Sequence, residues 1–473
     1  MTEAVVVGSG PNGLAAAITL AEAGLAVRVL EAADRPGGGV RSSEATLPGL
    51  IHDDGSGFHP MGVASPFFQA QDLDRFGLEF LWPEIELAHP LDDGRAGLLW
   101  RDTERTVAAL GIDGARWDAT IGWAGRRFDR IGSEILRPIV HVPRHPVVLS
   151  RFGALSALPA TAFARVFHTE EAAGLFGGIA AHGFGKLTMP FSSSAGIMLG
   201  GAGHAYGWPV AKGGSQAITD AMVAKLTALG VTVETGVTVT SFDELGSPDV
   251  VMLDTSPAAA ARILGDRLPS RVARAYRRFR PGPAAYKLDI ALEGHIPWSN
   301  PDVGRAGTVH VGGTMAEMAA AEADTNEGRM PDRPFLILGQ QYLADPQRSS
   351  GGLHPIYVYA HVPNGYDRPE GTELILRQIE RYAPGFRDLI RHVTVTTPRQ
   401  LSAANANIVG GDIAGGASSG PQLIFRPRIA LDPYDTTVPG VFICSASTPP
   451  GAAVHGMGGF NAATRALRQV HGG

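Results

Sequence analysis

The sequence predicts an α/β fold in which a Rossmann-like dinucleotide-binding domain is interleaved with a second, mixed α+β domain. A strand, a glycine-rich turn, a helix and a second strand open the chain, and glycine-rich turns before helices recur near its middle and its end. The length of 473 residues and the hydrophobic fraction of 44% allow two or three domains with large apolar cores.

The composition excludes several classes of protein. A net charge of −6 is not that of a chain with a large basic surface, so no nucleic-acid partner is expected. The single cysteine, Cys444, excludes a disulfide scaffold, a cysteine-cluster metal site and a dithiol redox pair, and we predict that it lies in the core. The histidines and carboxylates lack metal-ligand spacing, so no metal is predicted.

The sequence shows no targeting signal, because Met1-Thr2-Glu3 leads into an apolar run without a basic segment or a cleavage site. The longest uncharged stretch, 187–211, is interrupted by prolines and glycines that would leave backbone groups unsatisfied in a bilayer. We therefore expect a cytoplasmic protein with at most weak peripheral membrane contact.

The first element is a buried strand at 4–7, where an alanine is followed by three valines. A glycine-rich turn at 8–13 leads into an alanine-rich helix at 14–23, which Gly24 ends. A second strand follows at 26–30. This order of strand, turn, helix and strand is that of a βαβ unit that binds a dinucleotide.

The residues of this turn have separate roles in such a unit. Gly8 permits the tight turn, Gly10 lets a pyrophosphate approach the backbone, and Gly13 allows close packing of helix and strand. The helix N-terminus, next to Ser9, offers free N–H groups to the phosphates. Glu31 ends the second strand and is placed to accept hydrogen bonds from a ribose diol. An acid there disfavours a 2′-phosphate, so the nucleotide is FAD or NAD rather than NADP.

The residues after this acid favour FAD. The run Gly37-Gly38-Gly39-Val40-Arg41 resembles the Gly-Gly-x-x-Arg extension of the flavoprotein superfamily that contains amine oxidases and carotenoid desaturases. In that superfamily the glycines pass close to the cofactor and the arginine faces its phosphates. The resemblance implies the same for Gly38, Gly39 and Arg41, and places Arg35 with them; an ordinary surface arginine is the alternative for Arg41.

The resemblance narrows to the phytoene-dehydrogenase-related FAD oxidoreductases. It rests on 37–68, which includes HDDGSGFHP, on the closing segment SASTPPGAAVHGMGGFNAA at 445–463, on 212–215, and on 232–242 interpreted as a strand pair. It implies a FAD-binding domain of the glutathione-reductase or amine-oxidase type. The residues that it assigns to FAD are Gly8, Ser9, Gly10, Gly13, Glu31, Arg35, Gly38, Gly39, Arg41, Ser56, Gly57, Val239, Ser445, Gly456, Met457 and Asn461.

The closing segment departs from the family pattern in two places. Ser445 stands where such motifs usually carry glycine, and Ala452-Ala453 stands where a glycine pair is common. Each change exchanges one small residue for another, so FAD binding is expected to persist, although individual contacts of this loop do not carry over.

The positions of these segments divide the chain. Residues 1–70, 205–275 and 400–473 are predicted to form a discontinuous FAD-binding domain, and 71–204 with 276–399 a substrate-binding domain. The first inserted block is predicted to be helical and irregular, and the second to contain strands. The strand-like runs are 285–291, 308–311, 335–338 and 356–361.

Two residues are candidates for chemistry at the flavin. Lys287 lies in an alternating run that predicts a half-buried strand, and in the amine-oxidase branch a lysine on the comparable strand contacts flavin N5 through a water. The alternative is a strand lysine that reaches solvent. His455, in the loop that resembles the flavin-facing motif, competes for the same role.

The leading functional hypothesis is an FAD-dependent oxidoreductase that desaturates or oxidises an apolar substrate of isoprenoid or acyl type by hydride removal. The uncharged stretches 172–185 and 187–211, with Met198 and Leu199, favour an apolar cavity. A second dinucleotide unit is missing, so electrons are expected to pass to oxygen, a quinone or another external carrier. A flavin-dependent double-bond isomerase and a non-enzymatic escort protein on the same fold stay open.

Overall fold

The computed structural model describes residues 2–471, which form two large sheets of different construction. The strands are β1 (Glu3–Val7), β2 (Ala26–Leu30), β3 (Ser42–Ser43), β4 (His52–Asp53), β5 (Phe80–Leu81), β6 (Ile85–Pro90), β7 (Ala96–Leu99), β8 (Val210–Ala211), β9 (Thr232–Glu234), β10 (Val250–Leu253), β11 (Ala284–Glu293), β12 (Ala306–Val311), β13 (Leu336–Gly339), β14 (Leu353–Val362), β15 (Ile390–Thr396) and β16 (Val441–Ile443). The helices are α1 (Pro11–Glu22), α2 (Pro60–Val63), α3 (Pro66–Gln69), α4 (Thr103–Ala109), α5 (Gly114–Trp117), α6 (Trp123–Gly125), α7 (Phe128–Ile135), α8 (Pro146–Ser156), α9 (Ala160–Phe163), α10 (Glu170–Ala181), α11 (Ser193–Tyr206), α12 (Gln216–Ala228), α13 (Pro257–Leu264), α14 (Ser270–Arg277), α15 (Met315–Asn326), α16 (Glu370–Glu380), α17 (Pro398–Ala404) and α18 (Met457–His471).

The first sheet is parallel and has the strand order β16-β10-β1-β2-β9. Its central strand β1 contributes Val5, Val6 and Val7, and all three are buried, as expected of a parallel strand covered on both faces. The connection through α1 places β2 beside β1, while β10 lies on the other side of β1. The carboxyl ends of these three strands therefore meet at one edge, where doubly wound sheets bind their ligands.

The second sheet has the order β15-β11-β14-β13-β12-β6-β7. Its neighbours are antiparallel except for β12 and β6, which run in parallel. Helices α10 and α15 pack on this sheet, and α11 packs against α10. The apolar layer that joins these elements contains Phe176, Trp208 and Tyr359.

Much of the predicted secondary structure is confirmed. The α/β fold with a Rossmann-like unit is present, although α1 begins at Pro11 rather than at 14, since proline fits the first turn of a helix. The strand-like runs of the second inserted block lie in, or overlap, β11 to β14. The domain boundaries stay a prediction. The strands of the first sheet come from 3–30, 232–253 and 441–443, and those of the second from 85–99 and 284–396.

Two predictions about secondary structure are wrong. The first inserted block is not only helical, because β6 and β7 belong to the second sheet, where the polar residues Glu86 and His89 of β6 are buried. Residues 232–242 contain one strand rather than two. Gly236, with a φ of 72°, turns the chain, and Ser241 caps a short 3-10 turn at Phe242–Leu245.

The uncharged stretch 187–211 contains α11, whose residues are all buried or half-buried. Within residues 2–471 no single helix has both the length and the apolar character needed to cross a membrane. Pro146–Ser156 and Ala160–Val166 meet those criteria only as a pair, with a bend of 96° between them.

The contact between α1 and α18 generates a prediction about stability. A Cβ atom on Gly459 would lie 1.8 Å from the carbonyl oxygen of Asn12, so the Gly459→Ala variant must separate the two helices. We expect this variant to lose about 1–3 kcal/mol in free energy of unfolding, measured by denaturant titration. The control is Gly153→Ala in α8, where a Cβ meets nothing within 4 Å. The control should be neutral or stabilising by up to about 1 kcal/mol, and an equal loss in both variants would contradict the packing argument.

Candidate dinucleotide site

The turn between β1 and α1 is too closely packed for any residue but glycine at its ends. A Cβ atom on Gly13 would lie 2.1 Å from the carbonyl oxygen of Gly8, and Gly8 itself has a φ of 101°. Gly10 precedes α1 and supplies no side-chain cap, Pro11 has no N–H group, and the N–H of Gly13 is bonded to Asp254, so the N–H of Asn12 stays available to a ligand. The turn therefore offers this group and the positive end of a helix dipole to an anion.

Glu31 closes the turn from the end of β2. Its carboxylate accepts hydrogen bonds from the N–H and hydroxyl of Ser9, at 2.9 and 2.6 Å, and from the N–H of Ala33 at 2.9 Å. An ionised carboxylate has about four acceptor positions. One position is therefore left for a ribose hydroxyl, rather than the two that a diol would use.

The two predicted arginines of this region hold the following segment in place. Arg41 is only 11% exposed at its side chain, which excludes the surface alternative, and it donates to the carbonyls of Pro36 and Arg35 at 3.1 and 2.5 Å. One of its guanidinium nitrogens lies 3.8 Å from the carboxylate of Glu31. Arg35 is more exposed and pairs with Asp54 at 2.5 Å.

Three backbone segments contact one another at glycines, and we call the line through Gly10, Gly38, Gly39 and Gly55 the glycine seam. A Cβ atom on Gly38 would lie 3.1 Å from the Cα of Gly10, and one on Gly55 would lie 2.3 Å from the carbonyl oxygen of Gly39. The N–H of Ser56 donates to that same carbonyl at 3.0 Å. The glycine seam thus leads from the N-terminus of α1 to the segment after β4.

Beyond Gly55 the seam reaches the second sheet. The hydroxyl of Tyr357, on β14, donates to the carbonyl of Gly55 at 2.7 Å, and the Tyr357 ring centroid lies 5.0 Å from the Nζ of Lys287. Lys287, on the neighbouring strand β11, is 4% exposed and pairs with Asp289. The alternative that this lysine reaches solvent is therefore wrong. Gly57 packs against the amide of Gln341.

Asp254 occupies a position that the sequence analysis did not identify. It follows β10 directly, and its Oδ2 accepts a hydrogen bond from the N–H of Gly13 at 2.9 Å. The same oxygen lies 2.7 Å from where a Cβ on Gly10 would be. Burial, with the charge of Glu31 nearby, raises the pKa of Asp254 to about 7. The available signal was an acid at the end of the buried run Val-Val-Met-Leu.

His59 is a second residue that was missed. It is 1% exposed, and both of its ring nitrogens lack a hydrogen-bond partner among the described residues. Burial lowers its pKa to about 4, so the ring is neutral at physiological pH. Buried polar groups are normally paired, so these two nitrogens indicate a ligand or water between them and the adjoining segments.

The closing loop lies beside α1, and its predicted position against a flavin stays a prediction. Gly456 packs against Ala15, and the Nδ1 of His455 accepts a hydrogen bond from the N–H of Met457 at 3.1 Å. Burial lowers the pKa of His455 to about 4, so it acts here as a neutral acceptor at the start of α18. Ser445 is buried in the same loop, where its hydroxyl accepts from the N–H of Ser447.

Two further predicted residues contact other parts of the chain, and their roles toward a cofactor stay predictions. The amide of Asn461 donates to the carbonyl of Leu136 at 3.0 Å. Val239 is half-buried against the apolar cluster that contains Val7 and Leu30, the last residues of β1 and β2. Cys444 is buried as predicted, and its N–H donates to the carbonyl of Leu253.

Taken together, the residues fit a dinucleotide with one qualification. The glycine cradle and the free N–H of Asn12 at the N-terminus of α1 suit an elongated anionic ligand. The carboxyl group of Asp254, however, takes one of the helix N–H groups that a pyrophosphate would use. Two negative charges there would repel, so the fit requires Asp254 to be neutral or to turn aside.

Comparisons with known proteins agree with this geometry. A profile of the NAD(P)-binding Rossmann-like domain matches residues 6–70. The chain is 25% identical to the phytoene desaturase (neurosporene-forming) of Rhodobacter capsulatus over 508 aligned positions, which cover 96% of this chain and 91% of that protein. By these matches, the chain is similar to the phytoene dehydrogenase-related flavin oxidoreductases.

Two other proteins are less similar in sequence to this chain. The chain is 22% identical to Pyridine nucleotide-disulfide oxidoreductase domain-containing protein 2 of Rattus norvegicus over 338 aligned positions. That match spans 60% of this chain and only 56% of the rat protein. The structure of putrescine oxidase bound to putrescine superposes with a TM-score of 0.60 at 17% identity, over 100% of this chain and 98% of that one, which shows a shared fold.

Asp254 gives a prediction that needs no ligand. Its raised pKa means that the folded state keeps a proton which the unfolded chain releases above pH 4, so Asp254 lowers the stability of the fold progressively up to about pH 7. The Asp254→Asn variant should match wild type near pH 4 and exceed it above pH 7, by at most about 4 kcal/mol. Thermal unfolding across that pH range measures the difference.

The matched control is Asp249→Asn, at the exposed start of the same strand, where the N–H of Glu3 is the partner. It should leave the pH dependence of the melting temperature unchanged. If Asp254→Asn is no more stable than wild type at about pH 8, the carboxyl of Asp254 is not held neutral by its surroundings.

Proposed function

We propose that the chain is an FAD-dependent oxidoreductase that removes hydride from an apolar substrate. The observation that carries this proposal is the glycine seam, which joins the open N-terminus of α1 to Lys287 and Tyr357. An extended dinucleotide that lies along the seam, with its phosphates at Gly10, would bring its redox-active end to the second sheet. The relationship to flavin oxidoreductases supports the same assignment.

The residues that would hold FAD follow from the geometry. The N–H groups of α1 would face the pyrophosphate, Glu31 would accept a ribose hydroxyl, and the backbone at Gly39 and Gly55 would leave room for the rest of the cofactor. A bound flavin supplies a two-electron acceptor for hydride. Lys287 would lie at the redox-active end, where a cation stabilises negative charge on a reduced ring.

An apolar substrate is supported by the face of the second sheet beside Lys287. On β14, Tyr357 and Tyr359 point to this face, and Phe184 stacks on the ring of Tyr359 with an interplanar angle of 3°. Phe58, next to the glycine seam, packs against the same layer. Aromatic walls with few charges suit an isoprenoid or acyl chain. Oxygen, a quinone or another external carrier would then remove the electrons.

The predicted contribution of α11 to a substrate cavity is harder to isolate. Met198 and Leu199 are half-buried and pack against the apolar cores of both domains. Their role in a cavity stays a prediction. An aspartate at either position would also disturb the packing between the domains, so substitutions there do not test substrate binding cleanly.

The experiment that tests the proposed function begins with the colour of the purified protein. We expect a yellow protein whose heat-released cofactor is FAD, and anaerobic bleaching of the bound flavin by isoprenoid or acyl-chain compounds but not by small polar amines or acids. A colourless protein that takes up no added FAD would contradict the proposal. Conversion of a compound without bleaching or net consumption of an acceptor would indicate an isomerase instead.

The two acids beside the turn should affect FAD affinity in opposite directions. Glu31→Ala removes a ribose acceptor and should weaken binding by about tenfold or more. Asp254→Asn removes a negative charge near the phosphates and should tighten binding at about pH 8, with little effect at about pH 5. Quenching of FAD fluorescence measures both. Glu22→Ala, at the end of α1 and 40% exposed at its side chain, is the control. Weaker binding by both acid variants would overturn this arrangement.

A further inference from the structure

Lys287 differs from the other lysines of the chain. Lys186, Lys212 and Lys225 pair with surface carboxylates, and their side chains are 12–42% exposed. Lys287 is 4% exposed, with the ring of Tyr357 over its ammonium group and the carboxylate of Asp289 beside it. A buried Lys–Asp pair is costly to desolvate and is often no more stable than apolar residues of the same size.

The polar contacts continue from this pair to the surface. Oδ1 of Asp289 lies 3.3 Å from Nδ1 of His52, and within the described part of the chain neither atom makes a hydrogen bond elsewhere. Nε2 of His52 lies 2.7 Å from Oγ1 of Thr46. The side chain of His52 is fully buried, whereas Thr46 is half-buried in the hairpin turn between β3 and β4.

These four side chains are chemically suited to move a proton. A carboxylate accepts a proton from an ammonium group, an imidazole takes a proton on one ring nitrogen and releases one from the other, and a hydroxyl both accepts and donates. In this order, Lys287 is the first donor and lies beside the proposed flavin position. Thr46 is the last acceptor and lies nearest to solvent. A purely structural ion pair would need neither His52 nor Thr46.

We propose that Lys287, Asp289, His52 and Thr46 form a proton relay from the active site to solvent. This inference rests on the proposed function. Oxidation of a CH–CH bond to C=C sends one hydride, with both electrons, to the flavin and leaves one proton. The Lys287 ammonium group passes one of its protons to Asp289, and the amine that this leaves takes the proton from the substrate. His52 accepts the proton of Asp289 at Nδ1 and releases the proton of Nε2 through Thr46 to water, so one proton leaves for each two-electron oxidation.

The relay can be measured at Lys287 itself. The chain contains only four lysines, so ¹⁵N-lysine labelling gives four side-chain signals, and Lys287→Arg identifies the one of interest. A connected relay carries the ammonium protons to water, so the His52→Gln and Thr46→Val variants should slow their exchange with solvent about tenfold. Thr46→Ser keeps the hydroxyl and should exchange within about twofold of wild type.

The sign of the change separates a relay from a merely structural contact. Loss of packing would loosen the strands and speed the exchange of the Lys287 protons, whereas loss of the relay slows it. Equal rates in wild type, His52→Gln and Thr46→Val, or faster rates in both variants, would overturn the proposal. Thr46 lies near the surface, so its variants keep the test usable should His52→Gln fail to fold.

A second measurement connects the relay to turnover. In flavin-loaded protein mixed anaerobically with a compound that bleaches it, a pH-indicator dye should report slower proton release in Thr46→Val than in Thr46→Ser. If Thr46→Val and Thr46→Ser release protons at the same rate, the relay does not take part in the reaction. The exchange measurement needs no flavin, so it tests the relay separately from the proposed function. If the protein binds no FAD but its His52→Gln and Thr46→Val variants still exchange slowly, the proposed function is refuted and the proton path is not.

Discussion

The site depends on backbone segments that approach more closely than any side chain permits. Gly13 lies against the carbonyl of Gly8, Gly38 against Gly10, and Gly55 against the carbonyl of Gly39. These contacts fix the turn after β1, the segment that follows β2 and the segment that follows β4 relative to one another. Because the last of these is bonded to the second sheet, the same contacts set the distance between the phosphate-binding turn and the buried lysine.

Glu31 and Asp254 both lie beside this turn, and their different surroundings give the two carboxyl groups different properties. Glu31 accepts three hydrogen bonds from Ser9 and Ala33, which fix the position of its carboxylate. Asp254 accepts one from Gly13 and is otherwise surrounded by buried groups, so its pKa rises to about 7. In the proposed function, the first would accept a hydrogen bond from a ribose hydroxyl. The second is a group whose charge opposes an anion at the same helix end, so cofactor affinity depends on its protonation.

The βαβ unit could be predicted from the sequence alone. The path of its backbone requires glycines at a fixed spacing and places an acid, Glu31, at the end of the second strand. The sequence was also sufficient for β11 to β14, whose segments are rich in apolar residues, but not for β15, which was not predicted. It failed at β6, whose buried polar residues hide the pattern, and at Asp254, because the approach of β10 to the turn is a tertiary contact between residues 241 positions apart. Asp289, the partner of Lys287, stands in the same strand, but Tyr357 on β14 and His52 on β4, which contacts Asp289, could not be seen in that segment.

We propose that the glycine seam is the path of FAD from the first sheet to the second, and a crystal structure of the protein purified with FAD would test this path. We expect a pyrophosphate at the N-terminus of α1, with the carboxyl of Asp254 displaced from Gly13 or protonated against the phosphate. We also expect the flavin ring to contact the segment at Gly55 beside Lys287. A cofactor whose flavin ring lies away from the second sheet, or a phosphate bound elsewhere while Asp254 keeps its bond to Gly13, would contradict it.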